Sequence, residues 1–308
     1  MSRVLVTGGA GFVGSHVCDE LSLLDHEIVV LDDLSRGNEA WLPHGAELRR
    51  ADIRNRDAVL DAFRDVRPQI VVHLAALHFI PAVDEAPRVA EEINVDGTAN
   101  VVAACYDVRP DVLVFASTAA VYPNLAEPIS EQTSLAPLDL YGRTKAAGER
   151  LVADLAARTA IRCVAARLFN AVGPRETNPH VIPEIIAQLR GGAHELSLGS
   201  LEPRRDYIDV RDVAAAIMML ALGAGEGFAA YNVGTGRGVS VREIVAACER
   251  VLVRTVPVRT DPARVRPVDR PSLVADVAAI REAFGWSAQR TFAETLAELL
   301  DAPVEAVA

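Results

Sequence analysis

Three glycines near the start of the chain constrain the fold more than any other feature, because they lie between a short apolar strand and a helical pattern. The run Thr7–Gly14 follows Val4–Val6 and has the spacing G-x-x-G-x-x-G. Gly8 would make the turn, Gly11 would let the backbone approach a pyrophosphate, and Gly14 would let helix and strand pack closely. A helix that begins there offers N–H groups and a partial positive charge to an anion. The run therefore predicts a dinucleotide-binding loop.

Short β-branched runs alternate with helical patterns through the first half of the chain, which is typical of strand-helix-strand units. The predicted strands are Val4–Val6, Ile28–Leu31, Ile70–Leu74, Val112–Phe115 and Ile161–Ala165. The predicted helices are Gly11–Leu24, Arg56–Arg64, Pro87–Tyr106 and Gly142–Arg158. We therefore predict an α/β fold, a Rossmann-like doubly wound parallel sheet whose ligands lie beyond the carboxyl ends of the strands.

The composition changes after Asn170, where prolines and glycines break the chain into short pieces, which predicts a smaller mixed α/β C-terminal lobe that covers the substrate. We expect residues 1–167 to form the cofactor-binding domain, with 207–232 returning to it, and residues 168–206 and 233–308 to form the substrate-binding lobe. The predicted elements of this half are a strand and helix over Tyr207–Leu222, a strand at Tyr231–Val233, and helices Val241–Val253 and Val277–Phe284.

Carboxylates end the second predicted strand at Asp32 and Asp33. A carboxylate about 20 residues after such a glycine run binds the adenosine ribose and repels a 2′-phosphate, so the sequence favours NAD over NADP. Asp32 has a structural alternative as the cap of the following turn. Asp52 and Ile53 could flank the adenine, although a surface helix cap ahead of Arg56 is nearly as good an interpretation of Asp52.

Tyr141 and Lys145 are one helical turn apart, so their side chains share a face of the predicted helix. A nearby cation favours the ionised form of a phenol, which titrates near pH ~10 in water, and the tyrosine then becomes a usable base. Ser117 and Thr118 follow the fourth strand, where a hydroxyl can bind the reacting oxygen and relay its proton. Each motif alone also fits a packing tyrosine or a turn former. Together with the glycine run, they predict redox chemistry on an alcohol.

The chain of 308 residues carries a formal net charge of −11, which argues against a nucleic-acid partner because phosphate neutralisation needs clustered lysines and arginines. No apolar run reaches the ~20 residues of a membrane span. The first residues lead directly into a strand and leave no room for a signal peptide, so we expect a cytoplasmic protein without a membrane partner. The scattered cysteines are expected to be buried thiols without a metal site, and they are Cys18, Cys105, Cys163 and Cys248.

From Val4 to about Trp286, the chain resembles the extended short-chain dehydrogenase/reductase superfamily. Within it, the chain is most similar to the NAD-dependent nucleotide-sugar epimerases and dehydratases typified by the UDP-glucose 4-epimerases. Besides the motifs above, the resemblance rests on His73–Ala76, Asn94–Thr98, Arg167–Pro174, Arg205–Val210, Tyr231–Gly234 and Arg266–Asp269. It implies NAD as the cofactor and a nucleotide-diphosphate sugar as the substrate.

The same resemblance assigns residues to the site, with Thr118 as the catalytic hydroxyl, Tyr141 as the base and Lys145 as its helper on the nicotinamide ribose. The other positions expected to contact the cofactor are Gly8, Gly11, Phe12, Val13, Asp32, Asp33, Ser35, Arg36, Asn38, Asp52, Ile53, Leu74, Ala75, Ala76, Asn94, Ser117 and Leu168. Those expected to contact the substrate, besides Thr118, are His78, Ala119, Asn170, His180, Val181, Leu196, Arg205, Arg266 and Asp269. The arginines would hold the diphosphate, Asp269 would lie near the ribose, and Leu196 would border the nucleobase.

Ala119 and Ala120 depart from the pattern of several relatives. Dehydratases of the family carry an acidic pair after the hydroxyl, and decarboxylating relatives and 3,5-epimerases carry a glutamate or a cysteine where Ala120 stands. Those reactions would lack a proton carrier here. We predict a 4-epimerase that acts through a transient 4-keto intermediate. A 4-ketoreductase, or an epimerase at another carbon assisted by His180, remains the alternative.

His180 stands where relatives often have asparagine, and a hydrogen-bonding role is a simpler interpretation than an added acid or base. Leu273 stands where the family residue influences room for an N-acetyl group, so the choice of sugar stays open, with UDP as the default nucleotide. The helices Pro87–Tyr106 and Gly142–Arg158 carry apolar stripes. Because their equivalents in the family form an intersubunit four-helix bundle, we expect a homodimer. A non-catalytic sensor would be expected to carry a damaged base or glycine run, and both are intact.

Overall fold

The computed structural model describes residues 1–265 and 270–301. Its strands are β1 Arg3–Thr7, β2 Glu27–Asp32, β3 Glu47–Arg50, β4 Ile70–His73, β5 Val112–Thr118, β6 Arg162–Leu168, β7 Asn170–Val172, β8 Leu196–Leu198, β9 Arg204–Asp209, β10 Phe228–Val233, β11 Gly238–Ser240, β12 Val258–Thr260 and β13 Ser272–Leu273. Its helices are α1 Phe12–Leu23, α2 Arg56–Val66, α3 Ile80–Glu85, α4 Pro87–Glu91, α5 Thr98–Val108, α6 Leu140–Arg158, α7 Val181–Arg190, α8 Val210–Leu222, α9 Val241–Leu252, α10 Ala278–Phe284 and α11 Phe292–Asp301.

Seven parallel strands form the main sheet in the order β10-β6-β5-β4-β1-β2-β3. The strand order reverses between β1 and β4, so the carboxyl ends of these strands open onto a crevice at the switch point, where ligands of such sheets bind. All five strands predicted for the first half are present in this sheet. The prediction of a Rossmann-like doubly wound parallel sheet is confirmed.

Both faces of the main sheet are covered, which explains why its strands are almost uniformly apolar. Val4 and Val6 belong to one buried layer and Leu5 to the other, because successive side chains of a strand point to opposite faces. Helices α1 and α8 cover the first face, and α2, α5 and α6 cover the second. All four cysteines are buried, as predicted.

The helix predicted over Pro87–Tyr106 differs in one respect from the observed chain. Helix α4 continues into a π-helical segment, Glu92–Gly97, which leads directly into α5. A π-helical turn inserts an extra residue and changes the direction of the side chains that follow, and such turns are frequent at functional sites. Asn94 lies within this segment.

The second half of the chain builds smaller sheets beyond the carboxyl end of the main sheet. Strand β9 pairs with β7, β11 and β13, and β8 pairs with β12. The strand predicted at the start of Tyr207–Leu222 therefore belongs to a small sheet, whereas α8 packs on the main sheet and β10 joins it beside β6. The predicted domain boundaries stay a prediction.

Within the described part of the chain, no helix combines the length and the hydropathy that crossing a bilayer requires. The cytoplasmic location stays a prediction.

Candidate active site

The glycine run forms a tight turn between β1 and α1. Gly8 has a φ of +71°, and a Cβ atom there would lie 2.6 Å from the backbone nitrogen of Ala75. A Cβ atom on Gly14 would overlap the carbonyl oxygen of Gly8, so only glycine lets the helix pack on the turn. Among the described residues, no side chain caps α1 after Gly11, and Phe12 and Val13 open the helix. Its first N–H groups therefore suit the pyrophosphate of a dinucleotide.

Asp32 is buried at the end of β2, where its carboxylate accepts hydrogen bonds from the backbone nitrogens of Ala10 at 3.0 Å and Leu34 at 2.9 Å. Asp32 therefore closes the two neighbouring turns, which was its structural alternative. Each carboxylate oxygen keeps a second lone pair, so the same side chain can also accept a ribose hydroxyl. Burial raises the pKa of Asp32, and its two backbone hydrogen bonds oppose that shift.

The residues after Asp32 form a compact loop beside the glycine turn. Asp33 accepts hydrogen bonds from the backbone nitrogen and the hydroxyl of Ser35. The backbone nitrogen of Asn38 donates to the carbonyl oxygen of Ala10 at 2.9 Å, and its side chain caps a short 3₁₀ turn. The structure thus brings the predicted cofactor residues of this loop, including Arg36, next to the glycine turn.

Asp52 is partly exposed and is held by its neighbour Arg54, whose backbone nitrogen and guanidinium both donate to its carboxylate. This pairing lowers the pKa of Asp52. The cap of α2 is Asn55, whose side chain accepts from the backbone nitrogen of Ala58, so the predicted cap at Asp52 lies three residues too early. Ile53 is buried against the π-helical segment.

A chain of buried hydrogen bonds links the glycine turn to the loop after β4. The hydroxyl of Thr98 donates to the carbonyl oxygen of Asn94 at 2.7 Å, so its oxygen accepts from Nε2 of His73 at 3.0 Å. Nδ1 of His73 then accepts from the hydroxyl of Thr7 at 2.6 Å. Burial lowers the pKa of His73 to about 3, which keeps the ring neutral. The chain holds residues 74–76, three predicted cofactor contacts, against the glycine turn.

The side-chain amide of Asn94 forms three hydrogen bonds with the protein. Its amide bonds both the backbone nitrogen and the carbonyl oxygen of Leu77, at 2.8 and 2.9 Å, and also the hydroxyl of Thr144 at 3.1 Å. The side chain therefore fastens the loop after β4 to α6. Asn94 therefore positions this loop, and its predicted contact with the cofactor stays a prediction.

The catalytic set, defined here as Thr118, Tyr141 and Lys145, assembles at the carboxyl end of β5 and the start of α6. Asp139 caps α6 by accepting from the backbone nitrogen of Gly142 at 2.7 Å. The phenol of Tyr141 is hydrogen-bonded to the side chain of Thr118. Lys145 is only 2 % exposed. The helix start thus places a hydroxyl and a phenol in contact, with a buried ammonium one turn away.

Burial dominates the acid-base properties of this set. It raises the pKa of Tyr141 well above its usual value, and the hydrogen bond from Thr118 opposes that shift. The role of Tyr141 as a base stays a prediction. Burial also lowers the pKa of Lys145 to about 7, while the carboxylate of Glu149 raises it. Stabilising the phenolate needs a further positive charge at the site.

A buried polar network lies next to the catalytic set, between β5, β6 and α6. Glu149 and Arg167 form an ion pair with contacts at 3.0 and 2.8 Å, and both side chains are less than one-tenth exposed. Ser117 donates its hydroxyl to Glu149, and Tyr122 accepts from Arg167 at 2.9 Å and donates to Asn232 at 2.7 Å. Ser117 was predicted to contact the cofactor, but its hydroxyl points into this network. The network ties β5, β6, β10 and α6 together.

A second group of side chains, the His78 cluster, comprises His78, Glu176, Asn178 and His180. Asn178 donates its amide to Nε2 of His78 at 3.1 Å and to Oε1 of Glu176 at 3.3 Å. His78 and His180 have ring centroids 6.3 Å apart, and Phe79 lies edge-on to His180 at 5.2 Å. The cluster therefore joins the loop after β4 to the connection between β7 and α7, and it closes one side of the crevice.

Two ionisable groups of the His78 cluster, Glu176 and His78, are shifted towards their neutral forms. Burial raises the pKa of Glu176 to about 7, against opposing hydrogen bonds from Asn178 and Thr177. The surrounding protein and the charges of Lys145 and Arg36 lower the pKa of His78 to about 4. Asn94 ties the loop that carries His78 to Thr144 on α6, which brings the cluster near the catalytic set.

Ligand atoms of His78, Glu176 and His180 lie within 4.8 Å of one another, and two histidines with a glutamate can hold a divalent cation such as zinc. In the structure, the amide of Asn178 donates to His78 and Glu176 and so satisfies acceptors that a metal would need. The prediction of no metal site stays a prediction.

The other predicted substrate residues are spread over several elements. Ala119 is buried beside Thr118, Asn170 is exposed at the start of β7, and Val181 begins α7. Leu196 is fully buried in the apolar core of the second half of the chain, so its side chain offers no surface to a nucleobase. Leu168 ends β6 in register with Thr118.

Among the predicted phosphate ligands, Arg205 is half-buried on β9 and donates to the carbonyl oxygens of Arg204 and Arg270 at 2.8 and 2.7 Å. Arg266 and Asp269 lie outside the described residues.

Three supporting residues were missed by the sequence-based assignment. Glu149 is one helical turn after Lys145, a spacing that could have revealed it. Arg270 is buried and donates to the carbonyl oxygen of Ala120 at 3.1 Å, with Asp139 at 3.6 Å, but nothing distinguishes it from the other arginines of its run. Glu176 carried no signal, because its burial depends on the path of the loop that contains it.

The family model described as the NAD dependent epimerase/dehydratase family matches residues 4–234. The UDP-glucose 4-epimerase of Azospirillum brasilense is 35% identical, over 92% of this chain and 86% of that protein. The crystal structure of the Thermus thermophilus UDP-glucose 4-epimerase in complex with NAD superposes with a TM-score of 0.89 at 33% identity, over 97% of this chain and 98% of that one. MoeE5 in complex with UDP-glucuronic acid and NAD superposes with a TM-score of 0.86 at 31% identity, over 96% of each chain. The resemblance predicted from the sequence is confirmed, and the chain belongs to the NAD-dependent epimerase/dehydratase family.

Proposed function

We propose that the protein is an NAD-dependent 4-epimerase of a UDP-hexose. The observation that carries the proposal is the hydrogen-bonded pair of Thr118 and Tyr141, with Lys145 one turn away, at the mouth of an intact dinucleotide loop. Relatives at about one-third identity over nearly the whole chain are UDP-glucose 4-epimerases. Ala119 and Ala120 are buried and carry no acid or base, which disfavours the elimination reactions of other family members.

The residues present fit the cofactor. The glycine turn leaves no room for a Cβ atom at Gly8 and Gly14, and the uncapped start of α1 suits a pyrophosphate. Asp32 keeps lone pairs for the adenosine ribose and, as a buried carboxylate, disfavours a 2′-phosphate. NAD⁺, when bound, supplies the hydride acceptor and a positive charge near the phenol.

In the proposed mechanism, Tyr141 takes the proton of the sugar 4-hydroxyl directly or through Thr118, while the carbon loses hydride. Lys145 favours the ionised phenol and, by the resemblance to the family, holds the nicotinamide ribose. The 4-keto sugar then turns while Arg205 and Arg266 hold its diphosphate. Return of the hydride to the opposite face, with the proton from Tyr141, completes the inversion without net oxidation.

The experiment that tests this function is incubation of the purified protein with a panel of UDP-, GDP- and dTDP-sugars, without added cofactor or reductant. An epimerase interconverts a sugar nucleotide and its C4 isomer, which chromatography resolves. A ketoreductase would instead consume added NADH with a 4-keto sugar nucleotide. Failure to isomerise any member of the panel would refute the proposal.

We further propose that the protein is a homodimer through α5 and α6. These helices pack side by side on the main sheet, and their outer faces leave apolar side chains partly exposed: Val102, Ala103, Tyr106, Ala147 and Leu151. Two copies of this surface would form a four-helix bundle, which size-exclusion chromatography of the protein and of a Leu151→Glu variant would test.

A further inference from the structure

The His78 cluster places a carboxylate where a sugar bound to the catalytic set would end. Asn94 fastens Leu77 to Thr144, which lies between Tyr141 and Lys145 on α6. His78, the next residue, is exposed. The loop that carries His78 is thus fastened beside the part of α6 that carries Tyr141 and Lys145, where the hexose would bind.

Glu176 is the acidic member of this cluster. Its ligating oxygen lies within 4.8 Å of the ring nitrogens of both His78 and His180, and its side chain is only 9 % exposed. Asn178 donates its backbone nitrogen and its amide to Oε1 of Glu176, and these hydrogen bonds favour the ionised carboxylate. None of the salt bridges found among the described residues involves Glu176.

We infer that Glu176 is a charge-selectivity residue, which makes the crevice accept neutral hexoses and reject sugars that carry a carboxylate. This inference rests on the proposed function and adds the class of sugar. Two like charges in one partly screened crevice repel each other, and we expect a change in affinity of about tenfold. MoeE5, a relative of similar fold, has structures in complex with UDP-glucuronic acid and with UDP-glucose, so both nucleotides are suitable probes for this fold.

The groups that face Glu176 could alter its effect, and all of them titrate or carry charge. His78 and His180 flank the carboxylate, and Lys145 and Arg36 act on His78 from α6 and from the loop after β2. The neutral form of His78 adds no attraction for a sugar carboxylate near neutral pH. The pKa of Glu176, raised to about 7, implies that rejection strengthens as the pH rises through that value.

The test compares UDP-glucose with UDP-glucuronate for the wild-type protein and for Glu176→Gln, with Glu195→Gln, a surface glutamate paired with Arg259, as the matched control. The ratio of kcat/KM for the two nucleotides should favour UDP-glucose in the wild type, and Glu176→Gln should reduce that ratio about tenfold at pH 8.5. The preference should weaken between pH 8.5 and pH 6 in the wild type and stay constant in Glu176→Gln. Glu195→Gln should match the wild type.

Calorimetric binding of both nucleotides separates this inference from the proposed function. If neither nucleotide is isomerised, the proposed function fails, and the binding ratio still shows whether Glu176 selects against the carboxylate. An unchanged ratio in Glu176→Gln, or a wild-type preference for UDP-glucuronate, would overturn the inference and leave the epimerase proposal intact.

Discussion

The catalytic set and the His78 cluster are built in opposite ways. Thr118, Tyr141 and Lys145 stand on the end of a central strand and the first turns of a long helix, above a buried ion pair. The His78 cluster is assembled from two loops that meet through the amide of Asn178. The first arrangement is rigid and suits chemistry common to the family. The second depends on the paths of two loops.

The largest expected effect is on the catalytic set. Tyr141→Phe removes the proton acceptor and should lower kcat by ~10²–10⁴-fold, since this is the usual contribution of a positioned acid or base. NAD should remain bound, because the glycine turn and Lys145 are untouched. The measurement is the rate of UDP-galactose and UDP-glucose interconversion together with the cofactor content of the purified variant. Tyr106→Phe, at an exposed position of α5, is the control, and near-normal turnover of Tyr141→Phe would exclude it as the base.

The second largest effect is expected at the buried ion pair of Glu149 and Arg167, next to the catalytic set. Glu149→Gln leaves the buried guanidinium of Arg167 without its counter-ion, which should lower the free energy of unfolding by ~3–5 kcal/mol in urea titrations. It should also lower the pKa of Lys145 below about 7, because Glu149 is the charge that raises it. The alkaline limb of the activity profile should therefore move to lower pH.

A double variant separates stability from electrostatics. Glu149→Leu combined with Arg167→Met removes both buried charges and should be more stable than Glu149→Gln, since paired apolar replacements are often tolerated. The shifted alkaline limb should persist in it. A double variant with the wild-type pH profile would show that Glu149 acts on packing alone.

The features of the site that depend on local spacing could be predicted from the sequence. The glycine run, the Tyr141 and Lys145 pair and the hydroxyl of Thr118 depend on local spacing within strands and helices, and the structure assembles them as a unit. The side chains of Asn94 and Ser117 form hydrogen bonds within the protein, to Leu77 and Glu149. These partners are 17 and 32 residues away in the sequence, so local spacing could not predict them.

The prediction was weakest where several loops meet. Leu196 was assigned to the nucleobase from a loose match, yet it is a core residue of the second half of the chain. Glu176 was not singled out, since its burial requires knowledge of how the connection after β7 approaches the loop after β4. The short strands of the small sheets lacked the length that makes an alternating pattern recognisable.

A smaller effect tests the electrostatics of the His78 cluster without any substrate. The folded protein raises the pKa of Glu176 to about 7, above the usual glutamate value, so the native state binds its proton more tightly than the unfolded state. Stability should therefore be fully present below about pH 4.5 and decline by roughly 3 kcal/mol as the pH rises to about 7. Glu176→Gln should remove this decline and be more stable than the wild type at pH 8. Thermal unfolding between pH 5 and pH 8 measures it, and parallel curves for the two proteins would contradict the assignment.

The smallest expected effect contrasts two carboxylates that follow neighbouring strands. Asp32 holds the glycine turn and faces the crevice, whereas Asp52 is held by Arg54 at the surface. Asp32→Asn replaces one acceptor by a donor beside the N–H groups of Ala10 and Leu34, and it should weaken NAD binding about tenfold, as expected for the loss of a hydrogen bond to a charged group. Asp52→Asn loses only a surface ion pair and should change NAD affinity less than about twofold. Fluorescence titration of the cofactor measures both, and equal losses would mean that the adenine reaches as far as the end of β3.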